Sequence, residues 1–322
     1  MMFTFTTRQP APLFDAHADT GGKDLGDLPE WDLSDLYTSP DAPEIARDRD
    51  WLMTECANFA TDYEGNLADL RADDILACVQ RYEKIDMIAG RLMSFAGLRY
   101  YQHTTDPTRT KFMSDMQEAI TTATTPLVFF SLEFNRIEDN AYEALMAANA
   151  DLARYRPVLD RMRAMKPYQL SDELEKFLHD QSTVGSAAWN KLFDETIAGL
   201  SFDVDGEKLG IEATLNLLTE QDRAKREAGA RALAETFQAR VSLFARVHNT
   251  ITKEKEIEDR WRKLPTPQAG RHLANHVEPE VVEALRDAVV AAYPRLSHRY
   301  YALKAKWLGL ETMQVWDRNA PL

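Results

Sequence analysis

Residues 199–211 read GLSFDVDGEKLGI. Leu200, Phe202 and Val204 alternate with Ser201 and Asp203, so an extended segment here has one apolar side and one wet side. Asp205-Gly206 follows, a dipeptide that tolerates positive φ, and Leu209 and Ile211 resume the alternation. Asp-Gly between two alternating runs predicts a β-hairpin near residues 200–211. Through everything that precedes it, no stretch keeps a period of two long enough for a strand. The fold class expected is therefore mainly α, with one small β-hairpin.

Working back from the hairpin, the apolar residues step by three and four. Leu52, Cys56, Phe59 and Tyr63 mark one helix face, begun at Asp41-Ala42-Pro43-Glu44 with Asp41 as the expected cap and ended at Gly65. Ile75, Val79, Tyr82, Ile85, Ala89, Leu92 and Ala96 form a longer stripe. Asp106-Pro107 opens a third helix, and Pro126 should break it before LVFFSLEFNRI, because proline removes a backbone donor and crowds the carbonyl of Thr122. Further helix is expected from Asp139 to Lys166, disturbed at Pro157, and again after Ser171. Leu28–Tyr37, LPEWDLSDLY, reads as a short segment that docks its aromatics onto this body.

Working forward, Glu220 to Arg262 reads as a single helix carrying Leu233, Phe237, Val241, Phe244, His248 and Ile251 on one stripe. A short helix over Gln268–Asn275 and another from Pro279, with Val282, Leu285, Val289 and Ala292, come next. The closing stretch Arg299–Leu322 places Tyr300, Leu303, Lys304 and Trp307 at helical spacing, has Gly309 where the helix should stop, and predicts an extended Met313–Trp316 run. It leaves the chain in mid-connection, which suggests the middle of a protein and an apolar face left uncovered.

Composition narrows the function classes. The 322 residues carry 52 acidic against 38 basic side chains, a formal net charge of −14. Nucleic-acid affinity rests on clustered Lys and Arg, so no nucleic-acid partner is expected. An anionic membrane surface is likewise repelled, and no apolar run approaches the roughly 20 residues needed to span a bilayer. Cys56 and Cys78 lie in helical patterns without a CxxC, which reads as small buried side chains in a reducing compartment. With no signal-peptide pattern at the N-terminus, a cytoplasmic location is expected. Residues 1–27 read as a flexible tail in which the lone His17 has no role.

The chemistry-bearing candidates are few. His272 and His276, four apart, would share a helix face as two zinc ligands do. Yet position 273 is Leu, where a carboxylate would be needed to take a proton from zinc-bound water, and Pro279 interrupts the stripe before Glu280. The pair is set aside as a decoy. His248, His179, His103 and His298 stand alone, and Asp73-Asp74, Asp194-Glu195 and Glu256 with Asp259 read as helix starts or intrahelical ion pairs. No catalytic, cofactor-binding or metal-binding residue is assigned, and no HExxH occurs.

Several blocks, in order, resemble the oligoendopeptidase F branch of the thimet-oligopeptidase-like zinc peptidases. They are Leu28–Tyr37, Leu170–Glu175, Ala188–Glu195, Asp222-Arg223 with Arg226, Arg271–Val277, Arg299–Tyr301, Leu303–Lys306 and Leu308–Leu310. The resemblance implies the helical N-terminal lobe of a clam-like metallopeptidase. A 28–198 N-terminal domain would be followed by a 199–322 segment holding the hairpin and the first helices of a catalytic domain, stopping short of the zinc motif. The activity implied is hydrolysis of internal bonds of short unstructured peptides, by attack of zinc-bound water. Zn2+ would belong to the intact family protein and none to this chain, and the partner would be an oligopeptide substrate. On this expectation the chain is inactive alone. The alternative is a stand-alone, non-catalytic helical module that binds peptides or serves as a scaffold.

Overall fold

The computed structural model describes residues 31–322. The leading tail, His17 and the first residues of the Leu28–Tyr37 block lie outside them. The described residues are overwhelmingly helical, with a single two-stranded sheet among them. They fall into two compact units. The first runs to Ala188 and also takes in Lys253–Ala274, and the second holds Trp189–Thr252 and Asn275–Leu322.

The first unit begins with α1 (Pro43–Tyr63) and α2 (Ala72–Gln102). Their predicted stripes are the buried ones: Leu52, Cys56 and Phe59 face Ile75, Cys78, Val79, Ile85 and Leu92 in one core. α1 starts differently from the sequence expectation. Its N-cap is Ala42 and no side chain caps it, so Asp41 does not serve. α3 (Pro107–Thr124) is capped as its sequence suggests, Asp106 accepting from the backbone N–H groups of Thr108 and Arg109. At Pro126 the helix gives way to a 3-10 turn, Thr125–Leu127, and restarts as α4 (Val128–Arg136).

α4 is buried on most of its surface, at Phe129, Phe130, Leu132 and Phe134 together with Ser131 and Asn135, while Arg136 is exposed. Phe129 and Phe130 meet Phe59 with ring centroids 5.8 Å apart, and Phe130 stacks on Tyr82 at 4.5 Å. Asp139–Lys166 holds three short helices where a disturbed single one was expected: α5 (Asp139–Ala148), α6 (Ala150–Ala153) and α7 (Arg156–Arg163). Asn149 causes the first interruption, its side chain capping α6 through the N–H groups of Asp151 and Leu152. Pro157 sits harmlessly in the first turn of α7. α8 (Asp172–Gln181) follows. Ahead of α1, Tyr37 is buried and gives its hydroxyl to Asp48 at 2.8 Å, whereas Trp31 is exposed, so one of the two aromatics docks.

The boundary between the units falls, in sequence, within α9 (Ser186–Ala198), and the second unit carries the hairpin, β1 (Phe202–Val204) and β2 (Glu207–Leu209), paired antiparallel with Phe202 opposite Leu209. Asp205 and Gly206 have φ of 53° and 91°, the positive values a type I′ turn needs, and Asp203 accepts from the Gly206 N–H at 3.0 Å. The hairpin is as small as the sequence implied.

After α10 (Ile211–Leu217) the expected single helix is two, α11 (Arg223–Ala239) and α12 (Val241–Arg262), divided at Arg240. Phe202, Ala232 and Leu233 make a small core with Leu200, Val204, Ile211, Leu218 and Phe237 around it. The break at Arg240 rotates the predicted stripe: Val247 is buried while His248 is exposed, which corrects the placement of His248 on the apolar face. α13 (Ala269–Asn275), α14 (Pro279–Ala292) and α15 (Ser297–Trp307) complete the helices. Gly309, at φ 67°, closes α15 in a Schellman motif, with the Leu310 N–H on the Ala305 carbonyl and the Gly309 N–H on that of Lys306. Met313–Trp316 is not a strand. Gln314 instead opens a 3-10 turn, Val315–Asp317, because the Asp317 carboxylate accepts from its backbone N–H.

Candidate functional site

The His272/His276 pair rests on both residues belonging to one helix. α13 ends at Asn275, and His276 lies beyond it with φ of 52°, so the register that aligns i and i+4 is lost between them. His276 is exposed, while His272 is half-buried with its Nδ1 out of contact with water and any hydrogen-bond partner among the described residues. Neither has a carboxylate beside it to orient an imidazole or to act on a bound water, and among the described residues no cluster of three His, Cys, Asp or Glu side chains could hold an ion. The residues present do not fit a zinc centre.

The other candidates resolve into structural roles. Asp73 accepts from the Asn149 side chain at 2.7 Å, and Asp74 pairs with Arg71. Glu256 takes both Lys253 and Arg260, and Asp259 pairs with Lys255, an intrahelical lattice of the kind the sequence suggested. Asp194 differs: burial first, and Glu195 second, push its carboxyl above the usual range. His298 lies against the Tyr293 ring, and His103 caps the end of α2. Cys56 and Cys78 are free and buried, their thiols each pushed up to about 12 by burial.

The most completely built polar centre joins α11 to the end of the chain. Arg226 is only 3% exposed. It donates to the carbonyls of Glu220 and Gln221, both at 2.8 Å, to the Trp316 carbonyl at 3.2 Å and to Asp317 Oδ1 at 3.0 Å. Asp317, fully buried, also accepts from Arg223 at 2.9 Å and from the Gln314 N–H at 2.9 Å. Lys304 of α15 reaches the same segment from the other side, donating to the Arg318 carbonyl at 2.8 Å. Arg223 holds the Asp317 carboxyl well below the usual carboxylate range; burial opposes this, and the Gln314 amide and Arg226 add to it. A carboxylate so held is a poor base, and a guanidinium does not release its proton. The centre is a clamp.

Its members explain part of the sequence resemblance. Arg223, Arg226 and Lys304 all come from the recognised blocks, and Asp222 caps α11 through the Ala224 N–H. In the first unit, Glu175 of the Leu170–Glu175 block accepts from Arg262 at 2.6 and 2.9 Å and from the Leu170 N–H at 2.9 Å. Burial resists ionisation of Glu175, but Arg262 and the Leu170 N–H overcome it and leave the carboxyl below its ordinary range. Asp172 of the same block pairs with Arg136. Asp317 and Arg262 were missed in the sequence because they sit 91 and 87 residues from their partners, and nothing in local periodicity marks such pairs.

One surface stands apart from these satisfied joints. Every residue from Val281 to Ala291 on α14 is exposed, Leu285 by 65% and Val281 by 54%. On the helical wheel Val281, Val282, Leu285, Ala288, Val289, Ala292 and Tyr293 fall on one arc, with Glu280, Glu283 and Asp287 opposite and Arg286 at the arc's edge. An amphipathic helix draws most of its stability from packing that arc, and here the arc faces water.

The fold and these joints can be set beside known proteins. A family model described as Oligopeptidase F matches residues 133–202. Group B oligopeptidase PepB of Streptococcus agalactiae is 22% identical over 299 residues, 91% of this chain and 49% of that protein. Oligopeptidase PepF of Bacillus subtilis is 23% identical over 303 residues, 91% of this chain and 44% of that one. Among solved structures, oligoendopeptidase-F from Enterococcus faecium superposes with a TM-score of 0.75 at 21% identity, covering 86% of this chain and 56% of that one. A putative peptidase from Chlamydophila abortus superposes with a TM-score of 0.60 at 19% identity, over 91% and 49%. The fold is thus one found in peptidases. More narrowly, the chain is oligoendopeptidase-F-like, as its sequence blocks suggested, and it spans about half the length of the curated relatives it matches. No helix among the described residues is long and apolar enough to cross a membrane.

Proposed function

We propose that this chain is the N-terminal, non-catalytic portion of an oligopeptide hydrolase that cleaves internal bonds of short unstructured peptides. The observation that carries the proposal is the colinear likeness over 91% of the chain to proteins whose names describe oligopeptidases. In this reading residues 28–198 are an N-terminal helical domain, and 199–322 are the hairpin and first helices of a catalytic domain. Zinc belongs to the part that the chain does not span, since His272 and His276 do not fit it and the sequence has no HExxH. The role here is to shape and cover the path of the peptide, in the cytoplasm, and the chain alone hydrolyses nothing.

The test joins the chain at Leu322 to the remainder of Bacillus subtilis PepF and assays quenched-fluorescence oligopeptides. The joined protein should cleave them and lose that activity to a chelator, while the chain alone with added zinc should not cleave. Peptide binding by the chain alone, with no hydrolysis in the joined protein, would favour a stand-alone binding module. Turnover by the chain alone that His272→Ala or His276→Ala abolishes would restore the pair set aside above.

A further inference from the structure

We infer that the apolar arc of α14 is an interface, and that its occupant is the half of an oligoendopeptidase-F-length polypeptide that this chain does not span. The inference rests on the proposed function for the identity of the occupant, and on the structure for the surface. Val281, Leu285 and Val289 repeat by four along one side of a fourteen-residue helix. None of them is buried, whereas the stripes of α1 and α2 bury Leu52, Cys56 and Phe59, and Ile75, Val79, Ile85 and Leu92. Contiguous exposed apolar residues bounded by charges mark contact surfaces.

Three occupants are conceivable, and charge separates them. The polar side of α14 carries Glu280, Glu283 and Asp287, and the one cation, Arg286, stands at the arc's edge. Helices that lie on anionic lipid carry Lys and Arg on that side, so a membrane surface is the wrong partner. A second copy would bring together two chains that each carry a net charge of −14, which opposes self-association. A different polypeptide has neither difficulty. The relatives supply its size, since about half of each lies outside the match, 51% for PepB and 44% for the Enterococcus faecium structure, taking the covered shares of 49% and 56% from the whole. Neighbouring exposed side chains, Leu296, Tyr300 and Trp307, add apolar area at the same end of the chain.

The experiment supplies the chain, purified whole, with the remainders of Enterococcus faecium oligoendopeptidase-F and of Bacillus subtilis PepF as separate polypeptides. Binding is followed by calorimetry, and backbone amide exchange across Val281–Tyr293 by mass spectrometry. At least one remainder should bind, and exchange over α14 should slow in the mixture. The Leu285→Glu/Val289→Glu double variant should weaken binding at least about tenfold, as expected when anchors at an interface centre are replaced. Asp287→Ala, on the opposite side, should leave it within about twofold, since that side chain faces away from the arc. Both variants alter only exposed positions, so their melting curves should match the parent's. Failure of both remainders to bind, binding indifferent to the double variant, or self-association of the chain alone that the double variant abolishes would each overturn the inference. Peptide hydrolysis is scored separately: binding through α14 without hydrolysis would leave the interface standing and count against the proposed function alone.

Discussion

Replacing Asp317 by Asn tests whether the clamp at the chain's end is structural in the sense argued. The substitution keeps the shape and one acceptor oxygen but removes the charge that Arg226, 3% exposed, faces at 3.0 Å. Arg226 retains its three carbonyl partners, so what is lost is compensation of a buried cation, together with the Arg223 pairing at 2.9 Å. Breaking a buried pair from one side costs about 3–5 kcal/mol, against about 0–1 for an exposed pair. Melting followed by Trp fluorescence, to which Trp316 contributes, should therefore shift down by roughly 10 °C for a unit of this size. Arg226→Met/Asp317→Leu should cost less than Asp317→Asn alone, because no buried charge is then left unpaired.

The pH dependence carries a definite sign. The folded carboxyl lies below its unfolded value, so its contribution is complete above the unfolded pKa of about 4 and is lost as the pH falls further. The gap in melting temperature between parent and Asp317→Asn should accordingly be constant near neutrality and close as the medium is acidified below about pH 4. A variant that melts within 1 °C of the parent at neutral pH, taking about 1 °C as the resolution of the assay, would refute the reasoning.

Other outcomes follow from the same structure. Gly229→Ala should destabilise the second unit by about 1–3 kcal/mol in a urea melt, despite alanine's better helix propensity, because a Cβ there would sit 2.9 Å from Leu217 Cβ and 3.2 Å from the Thr214 carbonyl. Arg262→Met should cost the first unit about 3 kcal/mol by leaving the Glu175 carboxylate half-buried without its cation, and Glu175→Gln/Arg262→Met should recover part of that loss. Cys56 and Cys78 should resist a thiol reagent at pH 8 until denaturant is added, their burial keeping both thiols protonated; rapid labelling of either in the native chain would contradict the packing of α1 on α2.

Much of the fold could be read from periodicity alone, because helices that bury a face announce it every three or four residues. α1, α2 and the Asp106 and Pro126 punctuation were legible for that reason, and Asp205-Gly206 fixed the hairpin by the φ values only such a pair adopts cheaply. Two of the errors have a common origin. The break at Arg240, which turns His248 to solvent, and the curl of Met313–Trp316 into a 3-10 turn are both decided by tertiary partners: Phe237 meets Phe202 and Phe244 at 5.7 and 5.8 Å, and the Asp317 carboxylate gathers the turn around Arg223 and Arg226. Of the polar centre, the sequence offered Arg223, Arg226 and Lys304 only as parts of a resemblance, without their purpose. The exposure of α14 was the least legible feature, since an amphipathic pattern states that a face must be covered without saying by what.

The pairing of Glu175 with Arg262 has a consequence for anyone who would cut this protein apart. A polypeptide ending ahead of the hairpin would keep α1 to α8 yet forfeit the arginine that neutralises Glu175, along with the Glu254 carboxylate that receives the Ser186 N–H at 3.1 Å. No single scission frees the first unit intact. That same 3.1 Å contact shows, however, that the chain departs and comes back at nearly one point. Excising residues 189–252 and bridging the gap with a short glycine turn should yield a miniature ending at Ala274, in which the ion pair survives the surgery.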